Sequence, residues 1–92
     1  MRIKVRIFFR MTLIEQLLLV AETYGKFTGL AEATVSARFA GRGARIGELR
    51  HGGDMGARTI ARSLQKFSEM WPEGADWPEG VDRPETMPEN AA

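Results

Sequence analysis

An all-α fold of three or four short helices is what this 92-residue chain predicts. Three observations predict it. Beyond residue 12, apolar side chains recur at i, i+4 and i+7, the period of helices packed along one face. Glycines punctuate those stretches at 29, at 41 and 43, and at 52 and 53. Strand-like alternation occurs only in residues 1–10, with no second strand of comparable pattern to pair it.

The length allows one small domain. With 43% apolar residues it holds a thin core, because so short a chain buries only about 60% of the surface it exposes unfolded. Pairing with a second copy would enlarge that core. The chain has no cysteine, which excludes disulfides and thiolate metal sites and fits a reducing, cytoplasmic setting. The basic start followed by apolar residues faintly resembles a signal peptide. Arg10, Glu15, Gln16 and Glu22 interrupt it, however, and the unbroken apolar run Leu17–Ala21 falls far short of the roughly 20 residues that span a bilayer.

The net charge of +1 hides an asymmetry. Residues 1–71 hold twelve Lys/Arg against six Asp/Glu, and residues 72–92 hold one Arg against six Asp/Glu. A basic body suits a polyanion such as nucleic acid, and an acidic tail can screen it. Three regions follow: residues 1–10, an N-terminal extension or dimer arm; 11–71, the helical domain; and 72–92, an acidic Pro-rich tail.

In residues 1–10, Ile3, Val5, Ile7 and Phe9 alternate with Arg2, Lys4, Arg6 and Arg10. This reads either as a strand arm that pairs with a symmetry mate or as an upstream extension with no fold of its own. Thr12 is set to cap the first helix, with Glu15 completing a capping box. Leu13, Leu17, Ala21 and Tyr24 form its stripe, flanked by Ile14, Leu18 and Phe27, and Gly29 is the expected stop. A second helix is expected over 31–40, anchored by Leu30, Val35 and Phe39. A short turn of helix follows over 44–50, with Ile46 and Leu49 inward. Asp54 is the expected cap of a last helix over 55–71, in which Ile60, Leu64, Phe67 and Trp71 make a clean stripe and Pro72 is the stop. Arg58, Arg62 and Lys66 line its opposite side. The tail, in which Trp71-Pro72-Glu73-Gly74 recurs as Trp77-Pro78-Glu79-Gly80, is expected to be extended or disordered, its tryptophans excepted, and the repeated phrase is too short to imply a repeat architecture.

Residues 21–40 carry the functional expectation. Ala21 and Tyr24 supply an apolar inner face and Gly29 a tight turn. Val35, six residues later, locks the second helix on the first. Thr34, Ser36, Ala37 and Ala40 give a slim outer face that fits a major groove about 12 Å wide. These are the requirements of a compact three- to four-helix helix-turn-helix domain.

Thr28-Gly29-Leu30 followed by Thr34-Val35-Ser36, within a stretch covering residues 12–71, resembles the small helix-turn-helix regulators of bacteria and their prophages, broadly lambda-repressor-like. The resemblance implies a transcription regulator with double-stranded DNA as partner, dimeric on a roughly palindromic site. Two departures stand out. Ala31 replaces the usual Ser or Thr cap before the recognition helix, and Arg38 stands where an aliphatic residue is common. Arg38 is then either a base reader or the sign of a rotated helix. On this reading Thr34, Ser36, Ala37 and Arg38 face the bases or phosphates, with arginine suited to guanine O6 and N7. Lys26 and Thr28 touch the backbone before the turn, and Arg42 and Arg45 hold flanking phosphates. The Arg58/Arg62/Lys66 ridge either extends that footprint or is the solvated side of its helix.

No catalytic, cofactor or metal site is expected. His51, the one histidine, sits beside two glycines as a loop residue, and Gly41-Arg42-Gly43 lacks the length and ending of a phosphate loop. The rival reading is a protein-interaction module, adaptor or antitoxin-like; a phage recombination or architectural DNA-binding factor is a third.

Overall fold

The computed structural model describes residues 11–84, which hold four helices: α1 Leu13–Thr28, α2 Glu32–Phe39, α3 Arg45–Arg50 and α4 Ala57–Glu69. The fold is all-α, as the periodicity predicts. The expected strand arm lies outside the described residues.

α1 is defined by its own ends. The Thr12 hydroxyl accepts from the Glu15 amide at 3.1 Å while the Glu15 carboxylate accepts from the Thr12 amide at 2.7 Å, closing the capping box. Gly29 ends the helix at φ 74°, a left-handed conformation that costs glycine little. Leu17, Val20, Ala21 and Tyr24 face the core. Leu13 and Phe27, expected on the inner side, are exposed instead. Leu13 opens the helix, and Phe27 lies at its last turn with its ring edge toward Trp71, 6.3 Å between centroids.

α4 is shorter than expected at both ends. Asp54 does not cap it: its carboxylate accepts from the Met55 amide, and the helix starts after Gly56 with no side-chain cap. The predicted stripe holds, since Ile60, Leu64, Phe67 and Trp71 are all buried.

The core joins all four helices and the segment after α4. All six aromatic rings of the described residues touch in one cluster. Phe39 stacks on Phe67 at 4.0 Å between centroids, and Tyr24 presents an edge to both. Tyr24 also meets Trp71, which meets Phe27 and Trp77. Each such pair adds about 0.5–1.5 kcal/mol beyond the area it buries.

Residues 72–84 correct the expectation of an extended tail. They form a strap of two similar turns. Each tryptophan N–H donates to the carbonyl four residues on: Trp71 to Ala75 at 3.0 Å, and Trp77 to Val81 at 2.8 Å. Gly74 and Gly80 take φ 82° and 86° in the same place of each turn. The repeated unit is therefore six residues long, Trp-Pro-Glu-Gly-Ala/Val-Asp, and its fifth residue packs inward, with Val81 fully in the core and Ala75 against it. Arg83 closes the strap, donating to the Ser68 hydroxyl and carbonyl at 3.0 and 2.9 Å while its guanidinium lies 5.3 Å from the centre of Trp77. Two indoles that satisfy their own N–H groups order a segment that composition alone marks as unstructured.

Candidate nucleic-acid interface

α2 is short, and its sequence gives it little support. Ala31 stands at its N-cap without a side-chain hydrogen bond, which matches the departure noted in the sequence. The turn before it is built locally. Gly29 takes the left-handed conformation, and the Thr28 hydroxyl donates to the Tyr24 carbonyl at 2.8 Å while accepting from the Leu30 amide at 3.4 Å.

The rotation of α2 is set by Val35, Ser36, Phe39 and Ala40, all buried. They occupy i, i+1, i+4 and i+5, one continuous side of a helix. The complementary set at the same spacing, Ala33, Thr34, Ala37 and Arg38, is exposed. Arg38 therefore belongs to the outer face, and Phe39 takes the inward place.

Ser36 is corrected. It is 0% exposed, donates to the Arg42 carbonyl at 2.6 Å and accepts from the Ile46 amide at 3.0 Å. No part of it is available to a ligand; it ties α2 to the start of α3. Ala40, expected on the slim outer face, is buried as well.

The flanking cations fare differently from one another. Lys26 is well exposed but lies 3.4 Å from Glu22, one turn back on α1. Arg42 makes a two-pronged pair with Glu48, one arm at 2.7 Å. That hydrogen bond, with the attraction of Arg42 and Arg45, holds the Glu48 carboxyl below its usual range against the opposing loss of hydration, and it raises Arg42 further above its own. Arg45 is half-buried, and its Nε has no hydrogen-bond partner among the described residues. Arg50, which sequence reasoning did not single out, bridges Glu32 of α2 at 2.7 Å and Glu22 of α1 at 3.7 Å. It fastens the N-terminal end of α2 where a capping side chain is missing. Lys26, Arg50, Glu22 and Glu32 line an open groove of about 230 Å³ between α1, α2 and α3 and satisfy one another there.

Two further observations bear on partners. Among residues 11–84 there are nine Lys/Arg and ten Asp/Glu, since four of the twelve basic residues counted in 1–71 lie in 1–10 and the strap brings four acids with it. Among the described residues no group of His, Cys, Asp or Glu is arranged to hold a metal ion, and no helix is long and apolar enough to cross a membrane. His51 accompanies the end of α3, its Nδ1 2.8 Å from the Gly47 carbonyl.

Compared with protein-family models, with curated proteins and with solved structures, the chain matches none.

Proposed function

We propose that this protein is a sequence-specific, double-stranded-DNA-binding regulator of transcription, of the lambda-repressor-like kind, in which α2 is the recognition helix. One observation carries the reading. α2 stands on the core through Val35 and Phe39 and turns outward a narrow face of Ala33, Thr34 and Ala37 with a single arginine, Arg38, that has no carboxylate partner among the described residues. Small side chains let the helix backbone approach base edges, and an unengaged arginine is the side chain best suited to guanine. Thr34 is the second outward polar group. Lys26 and Arg42 act on phosphates only to the extent that the duplex displaces Glu22 and Glu48, and the half-buried Arg45 only through what it leaves exposed. A cytoplasmic homodimer on a two-fold site accompanies this reading.

The test is a mobility-shift titration against the DNA upstream of the protein's own gene at two salt concentrations. A shift that weakens steeply with salt is expected. Arg38→Ala should weaken it on that sequence by about ten- to a hundredfold, the worth of one bidentate base contact, while leaving the thermal melt unchanged. A folded protein with no salt-sensitive shift would refute the reading.

A protein-interaction module is the second reading. The even charge of residues 11–84 favours it, as do Phe27 and Met70, large apolar side chains left exposed. It predicts no duplex binding and tolerance of Arg38→Ala.

A further inference from the structure

Of the six basic residues described outside α4, four are engaged internally, and Arg38 and Arg45 have no ion pair among the described residues. Lys26, Arg42 and Arg50 each have a carboxylate within 4 Å, and Arg83 is engaged in the strap. Arg58, Arg62 and Lys66 are exposed and have no ion-pair partner among the described residues. They stand at i, i+4 and i+8 on the side opposite Ile60, Leu64 and Phe67, a ridge about 12 Å long at 1.5 Å per residue.

That spacing works against the helix in isolation. Like charges at i, i+4 repel, and the ridge contains two such pairs. Arg58 also lies in the first turn, where the helix dipole disfavours a cation, and no acidic residue or side-chain cap offsets it there. The one acid of α4, Glu69, lies at the far end and accepts from Gln65 at 3.2 Å. An ordinary solvated helix face mixes both signs of charge, as α1 does with Glu22 and Lys26. A ridge of one sign, uncompensated internally, is electrostatically completed by a polyanion.

We infer that the Arg58/Arg62/Lys66 ridge of α4 is a second contact surface for the phosphate backbone of a DNA duplex, separate from the outer face of α2. The inference rests on the DNA-binding reading and extends it. α2 supplies the choice of sequence, and α4 supplies affinity that is indifferent to sequence. The two contributions separate by their salt dependence, since each neutralised phosphate contributes about 0.9 to the slope of log K against log salt.

The experiment measures that slope for the full chain on two duplexes of equal length, the upstream DNA and an unrelated sequence. The triple variant Arg58→Gln, Arg62→Gln and Lys66→Gln removes the ridge charge while keeping good helix formers in place. Its slope should fall in magnitude by about 2–3 on both duplexes, with weaker binding to each. Arg38→Ala should lower the preference for the upstream duplex and change the slope by about 1 at most. The charge-keeping variant Arg58→Lys/Arg62→Lys should hold the wild-type slope. If the wild type binds with a slope that the triple variant leaves unchanged, the ridge inference is overturned and the role of α2 stands. A charge-keeping variant that loses as much slope as the triple variant would overturn it too, by showing a structural effect. Absence of salt-sensitive binding by the wild type would remove both.

Discussion

α1 and α2 meet at one glycine yet are held by opposite means. α1 is 16 residues long, closes its own N-terminus through Thr12 and Glu15, and ends in a left-handed glycine. α2 is 8 residues long and has no capping side chain. An isolated helix of that length does not persist in water. Its supports come from elsewhere: Phe67 of α4 under Phe39, the Ile46 amide and Arg42 carbonyl around Ser36, and Arg50 of α3 on Glu32. A self-sufficient helix serves as scaffold, whereas a helix that depends on its neighbours can leave its outer side to small residues and one arginine, because none of those residues is needed to keep it folded.

The sharpest way to break the contrast is Phe39→Ala. It removes the ring that stacks on Phe67 and meets Tyr24 and should cost about 3–5 kcal/mol in urea unfolding. Ser36→Ala comes next. It leaves the Ile46 amide without its acceptor and should cost about 1–3 kcal/mol as α2 loses its tie to α3, and on the proposed DNA-binding reading duplex affinity falls in parallel. Caps then compare the two helices directly. Thr12→Ala should destabilise by about 1 kcal/mol, and Ala31→Ser should stabilise by a similar amount by giving α2 the cap it lacks. A thermal melt that shows no gain for Ala31→Ser would mean that α2 is already secured at that end by Arg50 and its carboxylates. The smallest effect belongs to Arg42 and Glu48. Because the Glu48 carboxyl is held below its ordinary value of about 4.3, the pair's contribution is complete above that pH and is lost as pH falls through the lower folded value. Exposed pairs are weak, so an acid titration of wild type against Glu48→Gln should differ only slightly, with the wild-type advantage confined to the less acidic side.

What was legible in the sequence follows the same division. α1 could be read to its last residue because its caps lie within four positions of the helix they serve. The stripe of α4 is legible for a similar reason, although Asp54 is not its cap: its carboxylate turns to the next amide rather than to the helix three residues on. Ser36 was misplaced because a small polar side chain beside Val35 looks like an outer residue. Its partners are 6 and 10 residues away, and no local pattern announces them. A clue was present in the spacing, since Val35 and Phe39 as inner anchors place their neighbours Ser36 and Ala40 on the same side and Arg38 on the other. Arg50 is not legible because its value depends on Glu22 and Glu32, which chain folding alone brings near. Composition does not announce the strap, because it counts apolar area but not the indole hydrogen bonds that make a short Pro- and Gly-rich segment hold its shape.

Both tryptophans of the chain anchor that strap, Trp77 from within it and Trp71 from the residue before it, and this assigns the molecule's own optical signals to different parts of it. Intrinsic fluorescence reports on Trp71 and Trp77, hence on whether residues 72–84 lie against Trp71 and α4. Far-ultraviolet dichroism reports on the four helices. Coincident denaturation curves would make the strap part of one cooperative unit with the helices. An emission change at lower denaturant would mark it as a separately detachable segment.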